Sequence, residues 1–290
     1  MKLEVPIVNA FVDGTTGGNP AGVVLNAQNY SRDEKLKISS AVRLSETAFV
    51  SPSSAADFKL EFFTPTMQIA HCGHATIATF SYLRQQGLVP NDQTSKETID
   101  GRREIYMDGE MAYMEQISPK YNELDEMTLA RLFKSLGIDR KVLLPKTQPC
   151  VVNTGNSFLV TALKNKDTVS SIIPDFDLIS EISEEFGLIG YYIFSLETVT
   201  FGRDASARMF APRYGINEES ATGMAAGPLA CYLHDKMRIE KEKVTIEQGH
   251  LMSPPSPSVI IVTLHIEDGS ISRLMAGGKA AVSESRIIEI

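Results

Sequence analysis

Two short segments of this chain set potentially reactive side chains beside a glycine at the head of an Ala-rich run. The first is Cys72-Gly73-His74-Ala75, and the second is Thr222-Gly223-Met224-Ala225. Each follows a Phe-x-Pro motif, Phe63-Thr64-Pro65 or Phe210-Ala211-Pro212, and each is followed at the same later offset by Tyr-Leu, Tyr82-Leu83 or Tyr232-Leu233. If each glycine opens a helix, its first turn offers unpaired N–H groups and the positive end of a dipole to a carboxylate or other anion. Glycine there lets a ligand come close to the backbone. A thiol at such an end can be acidified and made nucleophilic or basic, so Cys72 is either that or a small buried packing residue. The hydroxyl of Thr222 is a poor proton donor without help. His74, just inside its helix, is expected to be neutral, able to donate one hydrogen bond and accept another, or else to be a satisfied structural histidine. Glu46 is flanked by Leu44, Ala48 and Phe49. It reads either as a partly buried carboxylate with a pKa tuned towards working pH, fit to shuttle a proton between carbons, or as an exposed strand-edge acid.

The elements that must hold these residues are partly legible. Strands are expected over Leu3–Val12, Ala21–Leu25, Thr47–Val50 and Phe58–Phe63, with a loop at Gly14–Pro20 that serves as a turn and leaves Asn19 near a cleft. Ser31 with Glu34 has the form of a capping box opening a helix that ends near Leu44. Leu129, Leu132, Phe133 and Leu136 follow helical spacing up to Gly137, and Leu178, Ile179, Ile182 and Phe186 do so up to Gly187. Further strands are expected over Ser157–Leu163, Tyr191–Phe194, Ala207–Phe210, Val244–Glu247, Val259–His265 and Ser285–Ile290. Strands outnumber helices and both are scattered, which argues for α+β rather than a parallel α/β sheet. Pro228 should make the second Ala-rich helix begin late or kink.

Composition narrows the class. At 290 residues, 43% hydrophobic and 22% charged, the chain can bury a core and is neither disordered nor membrane-embedded in character. No apolar run approaches the roughly 18 residues of a bilayer span. The opening residues lack the pattern of a secretory signal, so a cytoplasmic enzyme is expected. A formal charge of -8 with no basic cluster argues against nucleic-acid partners. Cys72, Cys150 and Cys231 form neither a disulfide framework nor a zinc pattern. His234, His250 and His265 lack ligand spacing, so no metal is expected. The Gly14–Gly18 loop is not a dinucleotide fingerprint.

Five segments, in order, carry a resemblance over nearly the whole chain: Gly18-Asn19-Pro20-Ala21-Gly22-Val23, Leu44-Ser45-Glu46-Thr47-Ala48-Phe49, Phe63-Thr64-Pro65, Cys72-Gly73-His74-Ala75-Thr76 and Ala221-Thr222-Gly223. They resemble the signature segments of the PhzF-like, or phenazine biosynthesis-like, proteins, relatives of diaminopimelate epimerase and the proline racemases. The resemblance implies two pseudo-symmetric lobes, each a barrel-like, mostly antiparallel sheet around a central helix, with the active site between them. The N-terminal lobe would comprise residues 1–118 plus 277–290, and the C-terminal lobe 119–276. It implies a cofactor-independent isomerase that moves a proton between carbons of a small carboxylate-bearing substrate. Glu46 would be the base, with His74 and Glu219 completing the catalytic set. Asn19, Cys72, Gly73, Thr222, Gly223 and Met224 would bind substrate. Met224 departs from the family's serine and leaves only a backbone N–H there, which puts the phenazine-pathway substrate itself in doubt. A homodimer is expected because family members often form one. Two rivals remain: a racemase, epimerase or dehydratase using Cys72 as base, and a non-catalytic small-molecule binder.

Overall fold

A computed structural model of the chain describes residues 2–289. Along it run β1 (Lys2–Ala10), β2 (Asn19–Val24), α1 (Arg32–Val42), β3 (Thr47–Ser51), β4 (Phe58–Phe63), β5 (Gln68–Ile69), α2 (Gly73–Gln85), β6 (Gln93–Thr98), β7 (Gly101–Asp108) and β8 (Met111–Ile117). Then come β9 (Lys120–Glu123), α3 (Glu126–Ser135), β10 (Cys150–Asn153), β11 (Ser157–Ala162), α4 (Lys166–Ser170), α5 (Phe176–Glu185), β12 (Gly190–Ser195), β13 (Ala205–Ala211) and β14 (Ile216–Glu219). The chain ends with α6 (Gly223–Asp235), β15 (Lys243–Gln248), β16 (Ser258–Glu267), β17 (Ser270–Gly278) and β18 (Ala280–Glu289). The fold is a sheet-rich α+β arrangement. Of the strand expected at the C-terminus, Ile290 lies outside the described residues.

Contacts group the chain into two compact units, one running through Glu115 and resuming at Gly277, the other from Gln116 to Ala276. In the first, β2 runs parallel to β3, β3 antiparallel to β4, β4 parallel to β6, and β6 antiparallel to β7. In the second, β11, β12, β13, β15 and β16 repeat that succession of directions. A parallel pair requires a crossover long enough to hold a helix. Accordingly α1 and α2 bridge the parallel pairs of the first unit, and α6 bridges β13 to β15 in the second. Within its own unit α2 packs on β1, β2, β3 and β18, and α6 packs on β10, β11 and β16.

Close packing explains the small residues of both helices. A Cβ on Gly227 would lie 2.2 Å from Gln116 Oε1 and 2.7 Å from a Leu274 methyl carbon. The core of the first unit includes Val5, Ile7, Ile38, Val42, Phe49 and Phe63. That of the second includes Leu129, Leu132, Phe133, Ile179, Ile182 and Tyr191, so the helical spacing marks the inner faces of α3 and α5, except that Phe186 lies past the end of α5 and is exposed.

Local signals act where they were read. Ser31 accepts from the Glu34 N–H while the Glu34 carboxylate takes the Ser31 N–H, a complete capping box, stabilising α1 by about 1 kcal/mol. Gly137 and Gly187 follow their helices at φ 64° and 62°. Three expectations need correction. The loop expected over Gly14–Pro20 stops at Gly18, because Asn19 and Pro20 already pair with Ala10 and Asn9 at the start of β2. The first strand stops at Ala10 rather than Val12, because Phe11 turns the chain at φ 62°. Helix α6 does not begin late: it starts at Gly223 and runs through Pro228, forgoing one backbone bond inside a helix that is buried nearly throughout. The stretch from residue 93 to 123 carries four strands that its polar, weakly alternating sequence did not announce.

Candidate active site

Glu46 lies in the turn between α1 and β3, where the Arg43 backbone adopts the left-handed conformation at φ 56°. The Gly22 N–H donates to the Glu46 carbonyl at 3.1 Å. Gly22 has room for no side chain without pressing on Thr47 and Val42, 3.1–3.2 Å away. The carboxylate so anchored is buried, with 8% of its residue surface exposed, which rules out the strand-edge alternative. Its Oε2 lies 3.2 Å from His74 Nε2, and the other ring nitrogen, Nδ1, lies 3.6 Å from Cys72 Sγ. Cys72, His74 and Glu46 thus form a line of thiol, imidazole and carboxylate, all buried. Cys72 is the residue before α2, and its carbonyl accepts from both the N–H and the hydroxyl of Thr76 at 3.2 and 2.7 Å.

Electrostatics separate the two ends of this line. Burial by itself would raise the Glu46 carboxyl. The hydrogen bond and charge of His74, with a hydrogen bond from Ser45, outweigh it and hold the group below its ordinary 4.5. Partial burial was expected to tune Glu46 upwards; the imidazole reverses that sign. At Cys72, burial dominates and the Glu46 carboxylate adds to it, so the thiol is raised despite the lowering by His74. The Ala75 N–H in the first turn of α2 also lowers it, but burial outweighs the helix end. Near neutrality Glu46 is therefore the ionised member and Cys72 the protonated one.

The donor atoms of Glu46, Cys72 and His74 all fall within 4.8 Å of one another, close enough to hold a cation. His74 turns different nitrogens to the thiol and to the carboxylate. One metal ion would therefore require the ring to give up one of these contacts.

In the second unit, Thr222 precedes α6 as Cys72 precedes α2. Its hydroxyl donates to Glu219 Oε2 at 2.8 Å. Gln248, wholly buried at the end of β15, organises this turn. Its Oε1 accepts from the Thr222 N–H at 3.1 Å and from the Tyr192 hydroxyl at 2.9 Å. Its Nε2 donates to the Glu219 carbonyl at 2.6 Å and lies 3.2 Å from Thr222 Oγ1. Met224 is half-buried, with its sulfur 3.5 Å from the Asn156 amide. Asn19 is buried at the start of β2, in register with Ala10. Gln248, Ser45 and Lys96, whose amine meets His71 and Thr76, were missed in the sequence. The polarity of Gln248 and Lys96 in short strands carries no periodic signal, and only the strand register brings them to the helix starts, whereas Ser45 acts on its neighbour Glu46.

The repeated pairing order gives a sheet-rich α+β fold, and in the first unit a buried acid lies beside a histidine at the start of α2. A crystal structure of a Bacillus anthracis phenazine biosynthesis protein of the PhzF family matches with a TM-score of 0.88 at 25% identity, covering 100% of both chains. The "Uncharacterized isomerase YddE" of Escherichia coli O157:H7 is 30% identical over 290 residues, 97% of each chain. The trans-2,3-dihydro-3-hydroxyanthranilate isomerase of Pseudomonas chlororaphis is 29% identical over 258 residues, 86% of this chain and 87% of its own. The family model for the phenazine biosynthesis-like proteins, PhzC-PhzF, matches residues 8–286, and the chain belongs to that family. It is an isomerase of the PhzF-like kind.

Proposed function

We propose that Glu46 is the base of this isomerase, taking a proton from one carbon of a small carboxylate-bearing substrate and returning it to another. Such a reaction is redox-neutral: one C–H bond breaks, its electron pair shifts along the substrate, and a second C–H bond forms with the same proton or one from solvent. The observation that carries the reading is the 3.2 Å contact between the buried Glu46 carboxylate and His74. It keeps the base ionised before substrate arrives, and the low-lying conjugate acid gives its proton back readily. His74 Nε2 sits where it can steady the carboxylate and help orient the substrate. Following the family pattern, Glu219, Thr222, Asn19 and the backbone N–H groups at Gly73, Gly223 and Met224 are assigned to substrate orientation. A homodimer, checked by light scattering, and a cytoplasmic location belong to the same reading.

The test is deuterium incorporation in heavy water, using trans-2,3-dihydro-3-hydroxyanthranilate and a panel of small carboxylates. Glu46→Gln should lower exchange at least about 100-fold, as loss of a general base does, while Cys72→Ala should stay within about 10-fold of the wild type. The reverse pattern would transfer the role to Cys72, whose 3.6 Å contact with His74 is the observation favouring that second reading. Ligand binding without exchange on any member of the panel would make the protein a binder.

A further inference from the structure

The least economical feature of the first unit is a lysine sealed inside it. Lys96, in β6, exposes none of its surface. Its amine donates to Thr76 Oγ1 at 2.6 Å, lies 3.3 Å from His71 Nδ1 and 3.9 Å from Met114 Sδ, and sits 5.3 Å from the centre of the Phe62 ring. A hydroxyl, an imidazole, a thioether and a ring surround it, and none is a carboxylate. A buried ammonium with such partners is expensive, and burial drives its pKa down to about 7.

The fold does not ask for this lysine. β6 pairs in parallel with β4 through Phe58 and Lys96, just as β15 pairs with β13 through Ala205 and Ile246. Ile246 therefore takes the place of Lys96 in the second repeat. The helix and its approach correspond likewise: where the first repeat has Thr76 and His71, the second has Ala226 and Ala221. Ile246, Ala226 and Ala221 expose none of their surface. One copy of the motif fills these three positions with apolar atoms; the other fills them with a polar cluster, and only that copy carries the Glu46–His74 pair.

The cluster has a direction. Thr76 accepts from Lys96 and donates its own proton to the Cys72 carbonyl at 2.7 Å. His71 stands on the other side of Cys72 in sequence. We propose that Lys96 is a positioning residue for the isomerase site: through Thr76 and His71 it clamps the chain on both sides of Cys72 and so sets the start of α2, holding His74 against Glu46. This rests on the assignment of Glu46 and His74 to catalysis, but its physical content is separable from that assignment. The charged or titratable groups around the amine are His71 and Cys72 ahead of α2, Arg103 across from it on β7, and Asp100 in the turn between β6 and β7. His71, pushed down to about 3 by burial and by the charges of Lys96 and Arg103, stays neutral through the physiological range. The ionisation that the cluster undergoes near neutrality is thus that of Lys96.

The experiment is an NMR titration from pH 6 to 9 on protein labelled in lysine carbon and histidine ring nitrogen. In the wild type, the Lys96 Cε signal should titrate near neutrality, and the His74 ring nitrogens should shift with the same midpoint. In Lys96→Ile, which copies the second repeat, the His74 step should vanish. In Thr76→Val, which keeps the amine but cuts its bridge to Cys72, Lys96 should still titrate while the His74 response falls at least twofold. Identical His74 titrations in wild type and Lys96→Ile overturn the proposal. A full His74 response in Thr76→Val also overturns it, by reducing the effect to a field through space. Should Lys96→Ile not fold, the Thr76→Val comparison decides alone. No substrate is needed, so the outcome is independent of whether Glu46 proves to be the base.

Discussion

Replacing Lys96 by isoleucine should stabilise the protein, and by an amount that depends on pH in a calculable way. An unfolded lysine holds its proton up to its ordinary 10.5, whereas Lys96 in the fold releases it at about 7. A lysine depressed in this way penalises the folded state in full below the folded value. The penalty then fades as the pH climbs towards 10.5. Since each tenfold difference in proton affinity is worth about 1.4 kcal/mol, the penalty is of order 5 kcal/mol at about pH 6 and about 2 kcal/mol at about pH 9. No solvent discount applies, because the side chain is wholly buried. Against this stand the lost hydrogen bonds to Thr76 and His71, which cost about 1–3 kcal/mol, and the fit of a differently shaped side chain. The change between pH 6 and 9 is carried by the ionisation of Lys96, because His71 is neutral throughout. The measurable quantity is the difference in unfolding free energy between Lys96→Ile and wild type, from urea titrations followed by circular dichroism at several pH values. That difference should be larger at about pH 6 than at about pH 9 by roughly 2–3 kcal/mol. All other groups cancel in the comparison. A difference constant to within about 0.5 kcal/mol, or one growing with pH, would refute the account of Lys96 as an uncompensated buried base.

Three further outcomes follow from named contacts. Glu46 is held below 4.5 chiefly by His74 working against burial, so its carboxyl carbon should titrate by NMR below that value in the wild type and above it in His74→Leu; an unchanged midpoint refutes the pairing. A carboxylate so depressed stabilises the fold above its unfolded value and loses that contribution as the pH falls through the folded one, so acid sensitivity should shift in the same direction. Gln248→Leu leaves the Tyr192 hydroxyl and the Thr222 N–H without their acceptor and should cost about 2–4 kcal/mol in urea unfolding; a loss below about 0.5 kcal/mol would mean that the turn does not depend on it. Gly227→Ala would place a carbon 2.2 Å from Gln116 Oε1 and should destabilise by about 1–3 kcal/mol as overpacking, read as a lower melting temperature; no change would show that Gln116 swings away freely.

Local chemistry was legible because it is decided within a few residues. Ser31 and Glu34 cap α1 through groups three positions apart, Gly137 and Gly187 end helices through their own backbone freedom, and the two Gly-Ala segments declare two helix starts through their likeness to each other. The family, the sheet-rich α+β class and the candidate set around Glu46 and His74 were all readable from short segments in order. The tertiary structure decided the remainder. That Glu46 meets His74, 28 positions further along, depends on the Gly22–Glu46 hydrogen bond and the β2–β3 register. The sign of its pKa shift depends on which of burial and imidazole prevails, and neither is a property of nearby residues. Lys96 and Gln248 lie in strands whose composition looks ordinary, and the parallel pairings bring one to the start of α2 and the other to the start of α6. Sequence patterns report interactions between chain neighbours, whereas the balance of desolvation against a distant partner exists only once the register is formed.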